Sequence, residues 1–409
     1  MDPERSVFLP ATRDEALNRL SDFLEESAGK YADTRNHVLP GHGNVSRLST
    51  ATRTRLLLES EICEAAREKF SAGKIEKFEQ EIWWRLYWKG WLELRPSIWT
   101  DYINDLSRLE WNDRATEVAA GRSGVAMMDH FAKELIETGY LHNHARMWWA
   151  SFWIHIERLP WQLGADFFQR HLLDGDAASN TLSWRWVAGL QTRGKSYLVR
   201  RSNLERYVEA DLLSANSQGL SRLENPSPAP GLDFEEHPNC GSVPLCEDPA
   251  LLPAEGLGIW IHDEDLLLEK SPLAGLHPKA LLAPRPRTLW EQHNYSDRKR
   301  EFLTHALSDG TSRAGSHFDL VSGISNADDL GEALVTGAKE NGLSAIVAMQ
   351  PFTGPLTDEL PRLTSALEKA DVSLHLIRRD EDTEAMQRAT AGFFGFWKKT
   401  SALRERLPL

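Results

Sequence analysis

The apolar residues of this chain change their spacing once, and this change restricts the fold more than any other feature of the sequence. Up to about residue 210 they recur at helical spacing, whereas after residue 255 short apolar runs of strand length alternate with helical stretches. The 45 residues between contain seven prolines, which favour a linker or an extended covering segment. The pattern predicts an all-helical domain over 1–210, a Pro-rich linker over 211–255 and a parallel-sheet α/β domain over 256–409.

The individual elements are predicted from the same spacing. In the first half, helices are expected over 12–26, 52–69, 74–91, 125–138, 143–157 and 164–173. In the second half, strands are expected over 257–262, 318–322, 345–349 and 372–377, with helices over 327–341, 356–370 and, closing the chain, 382–406. Strands that alternate with helices are typical of a parallel, Rossmann-like sheet, because parallel strands need a long crossover.

Charge and tryptophan are distributed unevenly between the two halves. Residues 1–210 carry 28 Lys and Arg against 30 Asp and Glu, whereas residues 211–409 carry 19 against 30. The acidity of the second half argues against nonspecific binding of polyanions by the whole surface, but a local basic patch in the first half remains possible. Twelve of the fifteen tryptophans precede residue 210, more than a core requires, which indicates stacking or electron-transfer chemistry.

Several classes of protein are disfavoured. No window of eighteen uninterrupted apolar residues predicts a transmembrane helix, and the first residues lack the pattern of a secretory signal. The three cysteines, Cys63, Cys240 and Cys246, have no spacing typical of a disulfide framework, zinc site or iron–sulfur cluster. We therefore expect a cytoplasmic protein with free thiols, no metal site, no metal cluster and no membrane segment.

Two short segments have the residue types of a phosphate and heterocycle site. The segment 45–50, VSRLST, places hydroxyls and an arginine before a predicted helix, where they suit a pyrophosphate, although a plain N-cap explains them too. The segment 172–180, LLDGDAASN, places Asp174 and Asp176 beside small residues. These carboxylates would accept hydrogen bonds from the edge of a planar heterocycle, and the alternative is an ordinary turn.

Two further segments combine charge with large side chains. In residues 78–91, Glu81, Trp84, Arg85 and Trp88 fall at i, i+3, i+4 and i+7, so one helix face carries a carboxylate, an arginine and two indoles. A buried carboxylate there needs a partner. In HNHARM, residues 142–147, an asparagine and an arginine share a helical face next to a methionine, and no third ligand supports a metal.

These four segments, in this order, resemble the photolyase/cryptochrome family of flavoproteins, over nearly all of residues 8–207. The resemblance implies an all-helical domain that binds FAD in a U-shaped conformation. On the adenine and phosphate side it assigns Tyr31, Ser46, Arg47, Leu48 and Ser49. Around the flavin it assigns Arg85, Arg146, Asp174, Asp176 and Asn180, with Asn180 near the central-ring nitrogen and Asp174 paired with Arg146. The family's electron chain of three tryptophans maps onto Trp184, Trp161 and Trp111.

The same resemblance separates two repair reactions. In family members that split cyclobutane pyrimidine dimers, the lesion pocket is lined by the residue types found here at Glu81, Asn143, Met147, Trp84 and Trp186. Indole faces stack on the dimer, and the carboxylate and amide bind its polar edges. Members that repair the (6-4) lesion have histidines where this chain has Asn143 and Met147, so that reaction is disfavoured.

The chain also departs from the family pattern. Val45 and Thr181 replace a usual threonine and a common asparagine, His144 stands where a DNA-contacting arginine is frequent, and the basic segment 194–207 replaces the usual end of the domain. The order of the halves is reversed, because the α/β pattern that resembles the family's antenna domain comes last. This order predicts a circular permutation. The α/β half lacks a glycine fingerprint for a nucleotide, and the identity of any antenna chromophore is unknown.

The sequence thus predicts an FAD-dependent, blue-light-driven DNA photolyase acting on pyrimidine dimers in UV-damaged DNA. The alternative is a cryptochrome-type photoreceptor that undergoes the same photoreduction but signals to a protein partner. The lesion-pocket residues favour the enzyme. The net charge of -13 and the altered basic segment favour the photoreceptor.

Overall fold

A computed structural model describes residues 8–326 and 328–406 and places thirteen helices before a five-stranded sheet within these ranges. The helices of the first half are α1 (Arg13–Glu26), α2 (Tyr31–Thr34), α3 (Ser49–Thr54), α4 (Glu59–Lys69), α5 (Ala72–Glu93), α6 (Ser97–Leu106), α7 (Asp113–Ala119), α8 (Ala126–Thr138), α9 (Asn143–Ser151), α10 (Trp161–His171), α11 (Ala177–Ala188), α12 (Arg201–Tyr207) and α13 (Ala210–Ala215). The second half contains β1 (Leu257–Trp260), β2 (Ala280–Pro284), α14 (Arg287–Gln292), α15 (Asp297–Phe318), β3 (Ile324–Ser325), α16 (Leu330–Asn341), β4 (Ala345–Met349), α17 (Pro355–Glu368), β5 (Ser373–Ile377), α18 (Asp380–Met386), α19 (Phe393–Lys399) and α20 (Ser401–Arg406).

Local chemistry accounts for several helix boundaries in the first half. Thr12 and Glu15 form a reciprocal capping box that begins α1. The continuous helix expected over 52–69 is interrupted, since Arg55 takes a left-handed conformation, φ 53°, between α3 and α4. The helix expected over 143–157 ends its α-helical part at Ser151 and continues as a π-helical turn over Phe152–Ile156.

The five strands are all parallel, in the order β3-β2-β1-β4-β5. Ile259 of β1 is paired with Leu281 of β2 on one side and with Val347 of β4 on the other. This is a doubly wound order: β2 and β3 are added on one side of β1, and β4 and β5 on the other. The change of side leaves a crevice beyond the carboxyl ends of β1 and β4. The predicted fold class, a helical domain followed by a parallel α/β sheet, is confirmed.

Three predictions for the second half were wrong. Residues 318–322 do not form a strand, because Phe318 ends the long helix α15 and Asp319 adopts a left-handed conformation that stops it. A short apolar run cannot distinguish helix from strand by periodicity alone, and β2 was missed for the same reason. The single closing helix expected over 382–406 is divided into α18, α19 and α20.

The hydrophobic core crosses the boundary between the halves. One buried cluster joins Leu20 and Phe23 of α1 and Phe78 of α5 to Ile259 of β1 and Val347 of β4. A second cluster fills the helical half. Its bulkiest side chains are each at most 2% exposed and include Trp83, Trp148, Trp149, Trp153 and Trp184. The sheet therefore packs directly on the first helices.

The Pro-rich segment and the C-terminal helices both lie against the helical half. Gly241 N donates to Leu94 O at 2.8 Å, and Ala229 N donates to His155 Nδ1 at 3.1 Å. Helix α18 packs on α5 at Gly90, where a Cβ atom would lie 2.7 Å from Met386 Cα. Only glycine permits this approach. The end of the chain thus returns to the helices instead of completing the α/β layer.

The crevice at the switch point of the sheet faces the helical half and is lined by residues of both halves. Arg53 of α3 forms an ion pair with Asp263, just after β1. Glu264 accepts a hydrogen bond from Phe352 N at 2.8 Å, and the Lys89 ammonium lies 3.8 Å from the centre of the Phe352 ring. These contacts join the loops after β1 and β4 to α3 and α5.

Candidate functional site

The turn between α10 and α11 brings two carboxylates and two arginines together. Arg146 Nη2 of α9 donates to Asp174 Oδ2 at 3.0 Å. Arg85 of α5 donates to the carbonyl oxygen of Asp174 at 3.2 Å and forms an ion pair with Asp176. Asp176 also caps α11 by accepting from Ser179 N at 2.8 Å. The predicted pairing of Asp174 with Arg146 is therefore present, and three helices converge on this turn.

Asp174 is buried and Asp176 is partly buried, and their arginine partners keep both ionised. Burial alone would raise the pKa of Asp174, but Arg146 and Arg85 outweigh it and hold that pKa below its usual range. The pKa of Asp176 is lowered in the same way by Arg85 and then by Lys89, again against burial. The turn therefore presents fixed hydrogen-bond acceptors at neutral pH.

A lysine from the α/β half supports the same turn and was missed by the sequence analysis. Lys299 Nζ lies 2.6 Å from the carbonyl oxygen of Gln169 and 3.5 Å from that of Gly175. Lys299 is fully buried, and burial lowers its pKa well below the usual range. No local pattern distinguishes Lys299 from the other charged residues at the start of α15.

Asn180 lies on the first turn of α11 and is held by α10. Its side-chain amide donates to the Ala165 carbonyl at 2.8 Å, and the residue is 8% exposed. This bond fixes the amide plane one helical turn beyond Asp176, the N-cap of α11. The prediction that Asn180 lies near the central-ring nitrogen of a flavin stays a prediction.

The segment 45–50 carries one cation, Arg47, and lies beside Arg19 of α1; among the described residues, neither guanidinium forms an ion pair with a carboxylate. Arg19 holds its backbone through the carbonyls of Ser46 at 2.8 Å and Val45 at 3.1 Å. Arg47 has a left-handed backbone, φ 57°, and its Nε is buried without a hydrogen-bond partner among the described residues. Burial lowers the pKa of Arg47, and burial followed by the neighbouring Arg47 lowers the pKa of Arg19. Two adjacent guanidinium groups of this kind suit a diphosphate.

The remaining residues assigned to the adenine and phosphate side lie on the same loop or pack beside it. Leu48 is 1% exposed, and Ser49 begins α3 and lies beside Asp174, so the loop reaches the carboxylate turn. Tyr31 is buried with its ring edge-on to Phe23 and Phe78. Three features together fit FAD. They are the buried Arg47 Nε without a described hydrogen-bond partner, the neighbouring guanidinium groups of Arg19 and Arg47, and the carboxylate acceptors of the turn.

The five residues of the predicted lesion pocket lie on α5, α9 and α11, and α11 packs on both of the other helices. Glu81 forms an ion pair with Arg35, which the sequence analysis missed although it follows Tyr31 by one helical turn. Trp84 stacks on Phe393 of α19 with ring centres 3.9 Å apart and planes 9° apart. No local pattern predicts that contact, since the two residues are far apart in the chain.

The other three members of this set have accessible side chains. Asn143 is exposed at the start of α9, Met147 is partly buried one turn later, and Trp186 is partly buried against Tyr197 with ring centres 5.5 Å apart. Glu81 and Trp84 are also partly exposed. Large apolar side chains left accessible beside a carboxylate and an amide mark a surface that can receive a planar ligand.

The tryptophans of the predicted electron chain occupy different depths. Trp184 is 2% and Trp161 5% exposed, whereas Trp111 is partly exposed. Trp161 stacks on Tyr102 with ring centres 5.4 Å apart, and Trp111 contacts Trp153 at 5.9 Å. The roles assigned to these three residues stay predictions.

The basic segment 194–207 is only partly free. Arg201 is bound by Glu205 and Glu224, while Lys195 and Arg200 have no carboxylate partner within the described structure. Arg206 contacts the Tyr207 ring and, in the same described ranges, no carboxylate. This surface therefore keeps three cations available for an anionic partner. Across residues 8–326 and 328–406, the structure contains no helix both long and apolar enough to cross a membrane and no group of three or more metal-binding side chains.

Residues 78–210 match the family model described as the FAD binding domain of DNA photolyase. This match lies within the helical half and agrees with the FAD-binding domain that the resemblance implied there.

Curated relatives agree with this assignment. A deoxyribodipyrimidine photo-lyase of Neurospora crassa is 31% identical over 200 residues, 46% of this chain and 32% of the relative. One from Streptomyces griseus is 36% identical over 151 residues, 36% of this chain and 32% of the relative. One from Thermus thermophilus is 33% identical over 199 residues, 46% of either chain. This chain spans less than half the length of each of these relatives.

Solved structures with partial similarity include a cryptochrome of Synechocystis sp. PCC6803, with TM-score 0.44 and 22% identity over 54% of this chain and 47% of that one. A bacterial class III photolyase from Agrobacterium tumefaciens has TM-score 0.42 and 22% identity over 54% of this chain and 53% of that one.

Proposed function

We propose that this protein is an FAD-dependent, light-driven photolyase that splits cyclobutane pyrimidine dimers in UV-damaged DNA. The observation that carries the proposal is the accessible set of Glu81, Trp84, Asn143, Met147 and Trp186 beside the Asp174 turn. The names of the curated relatives, deoxyribodipyrimidine photo-lyase, support the same reaction class.

The residues of this set have distinct tasks. One face of Trp84 is already covered by Phe393, so this stack holds the indole at a fixed angle for a flipped-out pyrimidine dimer. Trp186, kept against Tyr197, provides a second aromatic surface, and Met147 adapts to the saturated ring of the dimer.

Glu81 and Asn143 bind the polar edges of the lesion. The Arg35 guanidinium keeps Glu81 oriented through their ion pair, so the carboxylate can accept an imide N–H while the Asn143 amide donates to a carbonyl oxygen. Reduced FAD, when bound and excited by light, would supply an electron that opens the cyclobutane ring and is returned afterwards. The chain orients the dimer and excludes water during this exchange.

The test is repair by the FAD-loaded protein. Photoreduced protein is illuminated anaerobically with an oligonucleotide containing one thymine dimer, and the recovery of thymine absorbance is followed. Recovery of absorbance is expected. Glu81→Gln and Trp84→Ala should weaken repair while FAD stays bound, whereas Trp84→Ala protein that loses FAD would show that Trp84 belongs to the cofactor site. A wild-type protein that photoreduces but leaves the dimer intact would overturn the proposal.

The second candidate is a photoreceptor of the cryptochrome type. Two observations favour it: the net charge of -11 on residues 211–409, from 19 Lys and Arg against 30 Asp and Glu, and the ion pairing of Arg201 within the basic segment. Such a protein would photoreduce without repair and without preference for damaged over undamaged DNA, so the same experiment separates the two functions.

A further inference from the structure

A continuous row of indole rings joins Trp184 to the partly exposed Trp111 without passing through Trp161. Trp184 and Trp149 have ring centres 6.2 Å apart, Trp149 and Trp153 have centres 5.2 Å apart with planes 28° apart, and Trp153 and Trp111 have centres 5.9 Å apart. Trp149 and Trp153 are 1% and 0% exposed. Each ring is in contact with the next, from the buried end of the row to its exposed end.

The ring contacts of Trp161 follow a different direction. Within the described structure, its aromatic ring contact is with Tyr102, at 5.4 Å and 26°. Gly164, one turn further along α10, leaves room for two members of the row: a Cβ atom there would overlap the ring of Trp184 and lie 3.0 Å from Trp153 Cδ1. The absence of a side chain at residue 164 thus allows the Trp184 and Trp153 rings to approach the same point.

We infer that Trp149 and Trp153 form a second electron path between Trp184 and Trp111, parallel to the one through Trp161. This inference rests on the proposed photoreduction of FAD and adds to it two residues that the resemblance to the family did not assign.

The environment of each indole N–H suits passage of charge along the row. Trp184 Nε1 and Trp149 Nε1 are buried without hydrogen-bond partners in the part of the chain that the structure describes. An oxidised indole that cannot pass its proton to an acceptor stays a radical cation, and the neighbouring indole can reduce it by one electron. Trp153 donates its N–H to the Pro160 carbonyl at 2.8 Å, which fixes that ring between its neighbours.

Trp111 is the end of the row because it reaches solvent. The Arg170 guanidinium lies 5.2 Å from its ring centre and disfavours a positive charge there, so an oxidised Trp111 releases its N–H proton to water.

The electrons balance along this path. Trp184 gives one electron to photoexcited oxidised FAD and is itself oxidised. Trp149 then reduces Trp184, Trp153 reduces Trp149, and Trp111 reduces Trp153. Dithiothreitol then returns one electron and one proton to Trp111. Two such cycles take two electrons and two protons from one dithiothreitol, which closes to its disulfide, and leave two electrons on the flavin. No carbon–carbon or carbon–nitrogen bond of the indoles is broken.

The test compares variants in the Trp161→Phe background, with full-length FAD-loaded protein and dithiothreitol. Flash-induced absorbance of the tryptophan radical and accumulation of reduced flavin under blue light are measured. The Trp161→Phe protein should keep part of both signals. Adding Trp149→Phe or Trp153→Phe should remove the long-lived radical and most of the remaining photoreduction.

Trp148→Phe in the same background is the matched control, because Trp148 is equally buried and stacks on His144, outside the row. It should leave both signals of the Trp161→Phe protein intact. The FAD content and the urea midpoint of each apoprotein report folding independently of photochemistry.

The inference is wrong if Trp161→Phe alone abolishes the radical signal. It is also wrong if adding Trp149→Phe and Trp153→Phe has no effect beyond that of Trp161→Phe. A wild-type protein that binds FAD without photoreduction would overturn it as well. A protein that photoreduces through this path but repairs no dimer would contradict only the proposed repair activity.

Discussion

Lys299 of the α/β half donates from its buried Nζ to the Gln169 carbonyl of the helical half at 2.6 Å. The same nitrogen lies 3.5 Å from the Gly175 carbonyl, between the two carboxylates of the candidate flavin site. The cationic form of a buried lysine is costly, whereas the neutral amine can still donate to both carbonyls. Lys299 of the α/β half thus holds in place the turn of the helical half that carries Asp174 and Asp176.

This burial predicts a pH dependence of stability. The folded pKa of Lys299 lies well below its unfolded value, through burial first and then Arg53. Between the two pKa values the unfolded chain binds a proton that the folded chain does not, so the free energy of unfolding rises with pH through that window. We expect urea unfolding to show a smaller rise on approaching pH 10 in Lys299→Met than in wild type. Parallel curves for the two proteins would contradict the assignment.

Substitution of Gly164 tests the packing of the tryptophans. Gly164→Ala would force a Cβ atom into the Trp184 ring, and overpacking of this kind costs about 1–3 kcal/mol of unfolding free energy. Chemical denaturation measures the loss. Gly395→Ala is a suitable comparison, since a Cβ there meets no atom within 4 Å. Equal stability of the two variants would contradict the packing.

The carboxylate turn is expected to bind FAD through its charge. Asp174→Asn removes the negative partner of Arg146 and Arg85 and should cost about 1–3 kcal/mol, the usual effect of leaving buried polar groups without a partner. FAD retention on gel filtration should fall together with stability. The exposed Asp101, changed to Asn, serves as control and should alter neither property.

The free cations of the basic segment are expected to contact DNA phosphates. Arg200→Ala and Arg206→Ala should each reduce the slope of log affinity against log salt concentration by about 0.9. Arg201→Ala should change the slope less, because Glu205 and Glu224 already neutralise that residue. Fluorescence anisotropy with dimer-containing DNA at several salt concentrations measures these slopes, and three equal changes would contradict the prediction.

A buried ion-pair group joins the two halves and should control the stability of the whole chain. Arg55 contacts Asp265 at 3.0 Å and Asp382 at 2.6 Å, and its side chain is 2% exposed. Arg55→Met leaves two buried carboxylates with one partner fewer and is expected to cost about 3–5 kcal/mol. Arg108→Met, at an exposed ion pair, should cost no more than about 1 kcal/mol. Urea unfolding that does not distinguish these variants would refute the role of Arg55.

Much of the helical half could be predicted from the sequence, because its features are local. The spacing of Glu81, Trp84 and Arg85 places them on one helix by geometry alone. The turn considered as the alternative for residues 174–176 is present, whereas the helix α11 that Asp176 caps was not predicted. The alternation of strands with helices was sufficient for the parallel sheet. Strands β1, β4 and β5 lie within two residues of their expected positions, whereas β2 was missed and the strand expected over 318–322 does not form.

Only the tertiary structure decided which distant residues complete these local features. The stack of Phe393 on Trp84, the ion pair of Arg35 with Glu81 and the support of the turn by Lys299 join segments that no spacing rule connects. The row through Trp149 and Trp153 depends likewise on helix packing at Gly164. Helix and turn formation follow from neighbours a few residues away, whereas contacts between elements depend on how whole faces pack. This is why the sequence determined the elements and the residue types of the site, and the packing of the two halves determined the partners of those residues.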